Sequence, residues 1–245
     1  KDDAVRSYGE KSVENTCRIT RWSCYALLAD LYLWKGNWQK CIDYCDLVID
    51  QKIREYEEEY EENPTTMTTE LYGKFPLISE SSANSNYAGN TYTEIFGTGN
   101  SFESIFELNF LNNQSVSNST VSSFYGSSGT RTGQVGVPTF LYSDAYAGLN
   151  DYFKRTDCRY LENMTEINNK VYITKYVNQS VSFRTSTTTG AAPTVTGNAR
   201  SSAFANWIVY RLTDVMLMRA EAEVELAGNV EEGAQEALAL VVLLK

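Results

Sequence analysis

The sequence predicts a mainly α-helical protein in which helical hairpins form a scaffold for long loops and a few short strands. Two stretches predict the hairpins, because each spaces its apolar residues as a helix does and each ends on a Gly-Asn stop. The long stretch between them predicts the loops, being rich in Ser, Thr, Asn, Gly and Tyr.

The first hairpin occupies residues 16–52. Thr16 and Thr20 could each cap its first helix, since a threonine hydroxyl accepts a free N–H of the first turn. Ile19, Trp22, Ala26, Ala29 and Leu33 follow at alternating +3 and +4 spacing, and Leu27, Leu28, Leu31 and Tyr32 carry the apolar stripe round most of the circumference. A helix of that kind is expected to be buried on more than one side. Gly36-Asn37 stops it, because glycine enters the left-handed backbone region without a steric penalty. Trp38, Cys41, Ile42, Cys45, Val48 and Ile49 then share one face of a second helix. Trp22, Trp34 and Trp38 sit at helical spacing and are expected in the core. The acidic run at 55–62 reads as a solvated helix end or loop and lacks the Asp-x-Asp-Gly spacing of a calcium loop.

The second hairpin occupies residues 207–245. Residues 211–227 form its first helix, with Leu217, Ala220, Val224 and Ala227 as the stripe, and Gly228-Asn229 ends it before a second helix from about Val230. Trp207, just ahead, is expected in the core. Aligning the two Gly-Asn stops sets Leu28 on Ala220 and Tyr32 on Val224, so one unit occurs twice. That unit resembles a tetratricopeptide (TPR) hairpin. One hairpin cannot bury its own face, so the two are expected to stack on each other or on further repeats.

Residues 63–206 form the loop-rich middle. SIFELNF at 104–110 and KVYITKYV at 170–177 alternate as half-buried strands do, while 79–90, 112–136 and 178–206 read as long loops. Their many aromatics set them apart from disordered chain, so ordered loops that carry function are expected. The sequons at Asn113, Asn118, Asn163 and Asn178 are what chance gives in such a composition.

Composition removes several function classes. A net charge of −10 without a basic stripe argues against nucleic acid as a partner. The chain has no histidine, which excludes Ser-His-Asp and Cys-His catalysis and the histidine-bearing zinc sites. Nothing implies a metal or another cofactor. The five cysteines are Cys17, Cys24, Cys41, Cys45 and Cys158, with no CxxC pair. Cys24, Cys41 and Cys45 read as small buried residues, and a disulfide framework is not expected. No apolar run is long enough to span a bilayer, and the charged opening Lys1-Asp2-Asp3 is no signal peptide.

Residues 210–222, YRLTDVMLMRAEA, resemble the signature of the SusD/RagB family: an Arg, an Asp three residues on, an apolar run, then Ala-Glu-Ala. The first hairpin resembles the family's earlier helical pair, with Cys41 and Cys45 where alanines are common. Glu103-Ser104-Ile105-Phe106-Glu107 resembles the strand between these regions, and Asp157-Cys158-Arg159 an Asp-x-Arg after the loop-rich middle. The resemblance implies one SusD-like domain over 1–245, on the outer membrane of a Bacteroidetes-type bacterium. It implies a surface lipoprotein that holds glycan, or sometimes peptide, for a SusC-like TonB-dependent transporter. The family's lipoprotein signal, its N-terminal helical section and its Asn-x-Val-Arg-x-Arg continuation are not found in these residues. The chain is therefore expected to be a fragment, with its lipid anchor outside it.

A sugar ring has an apolar C–H face and a hydroxyl rim, so aromatic rings and polar side chains in the middle loops are the expected ligand contacts. The aromatic candidates are Tyr87, Tyr92, Phe124, Tyr125, Tyr142 and Tyr146, with Asn86, Asn90 and Arg131 for the rim. Without histidine, hydrolysis would need two carboxylates close together. No pattern pairs Glu103, Asp144, Asp151 or Asp157, so binding without catalysis is expected. The alternatives are a peptide-binding member of the same family and a cytoplasmic TPR-type adaptor.

Overall fold

The computed structural model describes residues 3–10, 12–65, 67–79, 87–88, 90–110, 116–126, 132–138, 163–168, 170–184, 194–199, 204–227, 235 and 238. In chain order its elements are α1 (Glu14–Cys17), α2 (Arg21–Trp34), α3 (Trp38–Glu62), β1 (Thr69–Tyr72), β2 (Phe75–Ile78), β3 (Tyr87–Ala88), α4 (Asn90–Tyr92), a π-helical turn (Thr93–Thr98), β4 (Ser104–Leu108), α5 (Ser119–Tyr125), β5 (Gly136–Val137), β6 (Met164–Ile167), β7 (Lys170–Ile173), β8 (Asn178–Arg184), β9 (Thr194–Ala199), β10 (Trp207–Arg211) and α6 (Leu212–Ala227). Among the described residues long helices dominate and each sheet has only two or three strands, as the predicted class requires.

The chain divides into two compact units. The first takes Lys1–Ser79, Asn100–Leu108 and Ile208–Lys245; the second takes Glu80–Gly99 and Asn109–Trp207. Apart from Trp207, the described parts of both helical hairpins thus fall in the first unit.

In the first unit Thr20 caps α2. Its side chain accepts the Ser23 N–H and the Ser23 hydroxyl accepts the Thr20 N–H, a reciprocal capping box. Gly36 ends the helix at φ +67°, the left-handed geometry that a Cβ would disfavour. The Asn37 side chain then caps α3 by accepting the Lys40 N–H. α3 continues through the acidic run to Glu62, so residues 55–62 are a helix end.

Helix α6 packs along α3 and also touches α2, so the hairpins stack on each other. Ala26, Ala29, Cys41, Cys45, Val48 and Ile49 meet Leu212, Val215, Met216 and Ala220 in one core. The small residues at 26, 29, 41, 45 and 220 let the helices approach closely. Cys41 and Cys45 are wholly buried, as expected, while Cys24 is only half-buried. The two buried thiols lie 4.0 Å apart, and this contact moves their titration in opposite directions, Cys41 down and Cys45 up. Burying Ile49, Leu212 or Met216 contributes about 1.5–3 kcal/mol each.

Three expectations about these helices need correction. Trp34 is 85% exposed rather than in the core, and Ile19, Leu27 and Leu31 are exposed as well, so α2 is not covered on every side. Helical spacing reveals a face and not the presence of a neighbour against it. Trp22 and Trp38 do pack against the core, half-buried. On α6 the buried positions include 212, 215, 216, 220 and 223, while Leu217 and Ala227 face solvent. The buried side carries the ion pair of Arg219 with Glu223, which makes it look polar in the sequence. Residues 228–234, with the second Gly-Asn stop, lie outside the described residues.

Two small sheets complete the first unit. β1 and β2 form an antiparallel hairpin, turning at Gly73 with φ +64°. β4, the predicted strand at 104–110, pairs with β10. The Leu212 N–H donates to the Glu103 carbonyl at 2.8 Å, which fixes the start of α6.

The second unit holds more regular structure than expected. The stretch 178–206 read as loop contains β8 and β9, antiparallel with Val181 opposite Gly197 and Phe183 opposite Val195, and β3 adds to their edge. Ser, Thr, Asn and Gly dilute the alternation that marks a strand, and the pairing partner is distant in sequence. Likewise 112–136 contains α5, capped by Asn118, whose Oδ1 accepts the Val121 N–H at 3.1 Å. The other strand prediction, 170–177, is half right: β7 stops at Ile173 and a turn follows, with the Val177 N–H on the Thr174 carbonyl at 2.9 Å. β7 lies between β5 and β6, antiparallel to both.

Candidate functional site

The second unit gathers aromatic rings around Tyr176, which is 7% exposed. Phe96 meets Tyr176 edge-on at 5.4 Å between ring centres, Tyr125 leans on it at 5.1 Å, and Trp207 stacks on it at 6.1 Å with the planes 3° apart. Tyr92 continues the chain of rings by packing on Phe96 at 5.4 Å. Phe124 stands at right angles to Tyr125 and is 40% exposed. Tyr176 and Phe96 therefore form a buried hub, while Tyr92, Tyr125 and Trp207 are half-buried around it. Each ring contact adds about 0.5–1.5 kcal/mol beyond the area it buries.

The elements that hold these rings are short, and backbone bonds fix them. Tyr92 ends α4 and Phe96 lies on the π-helical turn, which closes with the Gly99 N–H on the Glu94 carbonyl at 3.0 Å. Phe124 and Tyr125 are the last residues of α5. The Gln134 and Val135 N–H groups donate to the Ser123 and Phe124 carbonyls at 3.0 and 3.1 Å, so residues 133–135 run against the end of that helix. Gly133 permits this approach, since a Cβ there would run into the Phe124 carbonyl. Tyr176 sits on the turn after β7, anchored by the Thr174 N–H on the Asn163 carbonyl at 2.7 Å.

Among the described residues, Asn163 and Lys175 bring polar groups to the rings. Asn163 Nδ2 donates to the Tyr92 hydroxyl at 2.9 Å. The Lys175 ammonium lies 4.0 Å from the centre of the Phe96 ring, a cation–π contact. Among the described residues the cluster thus sets half-buried rings and the exposed Phe124 beside an amide and a cation that already contact its rings.

Of the residues named from sequence, Tyr92, Phe124 and Tyr125 belong to this cluster. Tyr87 lies on β3, in register with Ser182, and Asn90 opens α4. Asn86, Arg131, Tyr142 and Tyr146 lie outside the described residues, as do Asp144, Asp151 and Asp157. Sequence reasoning missed Phe96, Tyr176, Asn163 and Lys175. Tyr176 and Lys175 were read as strand, Asn163 only as a sequon, and Trp207 only as core. No local signal marks a hub whose rings come from distant segments.

Glu103, considered above for hydrolysis, has a structural place in the first unit. It is 3% exposed, accepts the Ile78 N–H at 3.1 Å and pairs with Arg211 at 3.6 Å. Asn118 is equally committed, its Nδ2 donating to the Ala205 carbonyl at 2.8 Å with the residue 3% exposed. Among the described residues no group of three or more acidic or cysteine side chains could hold a metal ion. No helix among them is long and apolar enough to cross a membrane.

The family model described as the SusD family matches residues 63–241, nearly three quarters of the chain. The chain belongs to the SusD family. The match includes residues 103–107, 157–159 and 210–222, which carried the resemblance, and it begins after the first hairpin at 16–52. No curated protein and no solved structure matches the chain. The family is one of nutrient-binding proteins rather than enzymes, typically lipoproteins associated with the outer membrane and working with SusC-like transporters.

Proposed function

We propose that this protein captures oligosaccharide at the aromatic cluster of its second unit and delivers it, uncleaved, to a SusC-like TonB-dependent transporter. Surface attachment to the outer membrane is through a lipid anchor, and the two units act as one SusD-like domain. The observation that carries this reading is the ring cluster: a buried Tyr176–Phe96 hub holds Tyr92, Tyr125, Phe124 and Trp207 at its margin. Rings held this way lose little entropy when a sugar face covers them. Asn86, Tyr87, Asn90, Arg131, Tyr142 and Tyr146 complete the proposed site on the sequence argument.

Calorimetry with starch, fructan and mucin-type oligosaccharides tests it, with a peptide panel alongside. Tyr125→Ala is expected to weaken the oligosaccharide that binds by about tenfold, or about 1.4 kcal/mol, with the fold retained by circular dichroism. No new reducing ends should appear on incubation. Binding of peptide alone, unchanged affinity in both Tyr92→Ala and Tyr125→Ala, or release of reducing ends would each overturn the reading.

A further inference from the structure

The first unit contains a cavity of about 560 Å³ that shares no residue with the ring cluster. That volume falls within the range of about 300–1,000 Å³ typical of small-ligand sites. Three guanidinium side chains line it, each from a different segment: Arg6 ahead of α1, Arg21 at the start of α2, and Arg54 on α3. Among the described residues no carboxylate side chain lines it, although the chain carries a net charge of −10. Trp22 and Tyr25 supply an aromatic wall, edge to face with ring centres 5.9 Å apart.

The walls are built by specific bonds. The Arg21 N–H donates to the Val5 carbonyl at 2.8 Å, and the Trp22 indole N–H donates to the Arg6 carbonyl at 3.1 Å. These two bonds stitch the N-terminal segment to the first turn of α2. On α3 the Arg54 guanidinium donates to Gln51 Oε1 at 3.0 Å, and Gln51 Nε2 donates to Glu55 at 3.1 Å. Glu55 is occupied by Lys52 at 2.9 Å and does not line the cavity. Thr20 already accepts the Ser23 N–H at the cap of α2, so the positive field comes from the side chains.

We propose that this cavity is a second binding site, taking an anionic ring compound of sugar size that bears a carboxylate or a sulfate ester. The planar guanidinium fork matches the oxygens of either anion, which a neutral hydroxyl rim would not require. The Trp22 and Tyr25 rings cover the apolar face of the ligand. The sugar body rests on the glycan-binding reading above; the anion preference does not. Arg6 and Arg54 are exposed, so the attraction is screened and affinity is weak and salt-dependent.

The test is an NMR titration of the intact chain, following the Trp22 indole N–H resonance, assigned through Trp22→Phe. The probes are glucuronate, glucose 6-sulfate, glucose and inorganic sulfate. At least one of the two anionic sugars should shift the resonance saturably, and the pair distinguishes carboxylate from sulfate. Glucose should leave it unmoved. Arg54→Gln, an exposed position, should weaken binding at least fivefold with the remaining spectrum unchanged, as should 0.5 M salt, a screening length of roughly 4 Å. No shift with either anionic sugar, unchanged affinity in Arg54→Gln, or equal affinity for inorganic sulfate alone overturns the proposal. Tyr125→Ala should leave the Trp22 response intact, so failure here and failure of the ring-cluster reading are separable.

Discussion

Tyr210 donates its phenol hydrogen to Asp30 across 2.7 Å, a bond between residues 180 positions apart. It ties β10 to α2 within the first unit. Burial raises the phenol above its ordinary range, and the hydrogen bond to Asp30 and the Asp30 charge push the same way. A folded-state value above the unfolded one means the stabilisation is complete below about pH 10 and is lost as pH rises through the folded value. Urea midpoints should therefore fall more steeply above pH 10 in the wild type than in Tyr210→Phe. At pH 8 the same variant should lose about 1 kcal/mol for the missing bond. Parallel pH profiles for the two proteins would show that the phenol is not linked to folding.

A second long-range tie is ionic. Arg219 Nε lies 2.7 Å from Asp46 Oδ1, and its Nη1 reaches Glu223, which is 7% exposed. Burial opposes the guanidinium charge, but the Asp46 hydrogen bond and the Asp46 and Glu223 charges outweigh it and raise the arginine further. Arg219→Met leaves the Glu223 carboxylate buried without this cation and should cost about 3 kcal/mol. Adding Glu223→Leu should recover part of that loss, whereas Asp46→Asn alone, at a more exposed position, should cost at most about 1 kcal/mol. Denaturant melts of the three variants decide the order.

Much of this scaffold is legible because its signals are local. Thr20, Gly36 and Asn37 act within one turn of themselves, and Cys41, Cys45, Val48 and Ile49 repeat along one helix face. The rest depends on neighbours that sequence spacing does not name. Trp34 has the spacing of a core residue and no partner to cover it among the described residues. The buried face of α6 carries Arg219 and Glu223, whose burial makes sense only once Asp46 is beside them. β8 and β9 are recognisable as strands chiefly through each other. At the candidate site Tyr92, Phe124 and Tyr125 stand out as aromatics in polar surroundings, but their hub at Phe96 and Tyr176 exists only after folding.

The approach of residues 133–135 to α5 gives a prediction about the ring cluster. A methyl group at Gly133 would meet the Phe124 carbonyl, whereas at Gly136 the nearest atom is the Val171 carbonyl at 3.4 Å. Gly133→Ala should destabilise the second unit by about 1–3 kcal/mol, as overpacking does. It should also reduce the near-UV circular dichroism of the rings. Gly136→Ala is the control and should stay close to wild type in both measurements. Equal effects would mean that the contact at Phe124 does not hold the cluster.

Trp34 and Trp38 stand on either side of the Gly36-Asn37 turn and should respond in opposite ways to truncation. Trp34 is 85% exposed at the end of α2. Trp38 packs against the core, with its indole about 3.5 Å from where a Cβ on Gly36 would lie. Trp34→Ser removes little buried surface and should leave the urea midpoint within about 0.5 kcal/mol of wild type. Trp38→Ala empties a half-buried position that also braces the turn, and should cost about 2–3 kcal/mol, below the loss for a fully buried tryptophan. Fluorescence gives an independent check, since the Trp34→Ser spectrum should lose its solvent-exposed, red-shifted component. If Trp34→Ser cost as much as Trp38→Ala, the exposed face of α2 would have to be covered in solution. Leu27 and Leu31, on that same face, would then be the next residues to truncate.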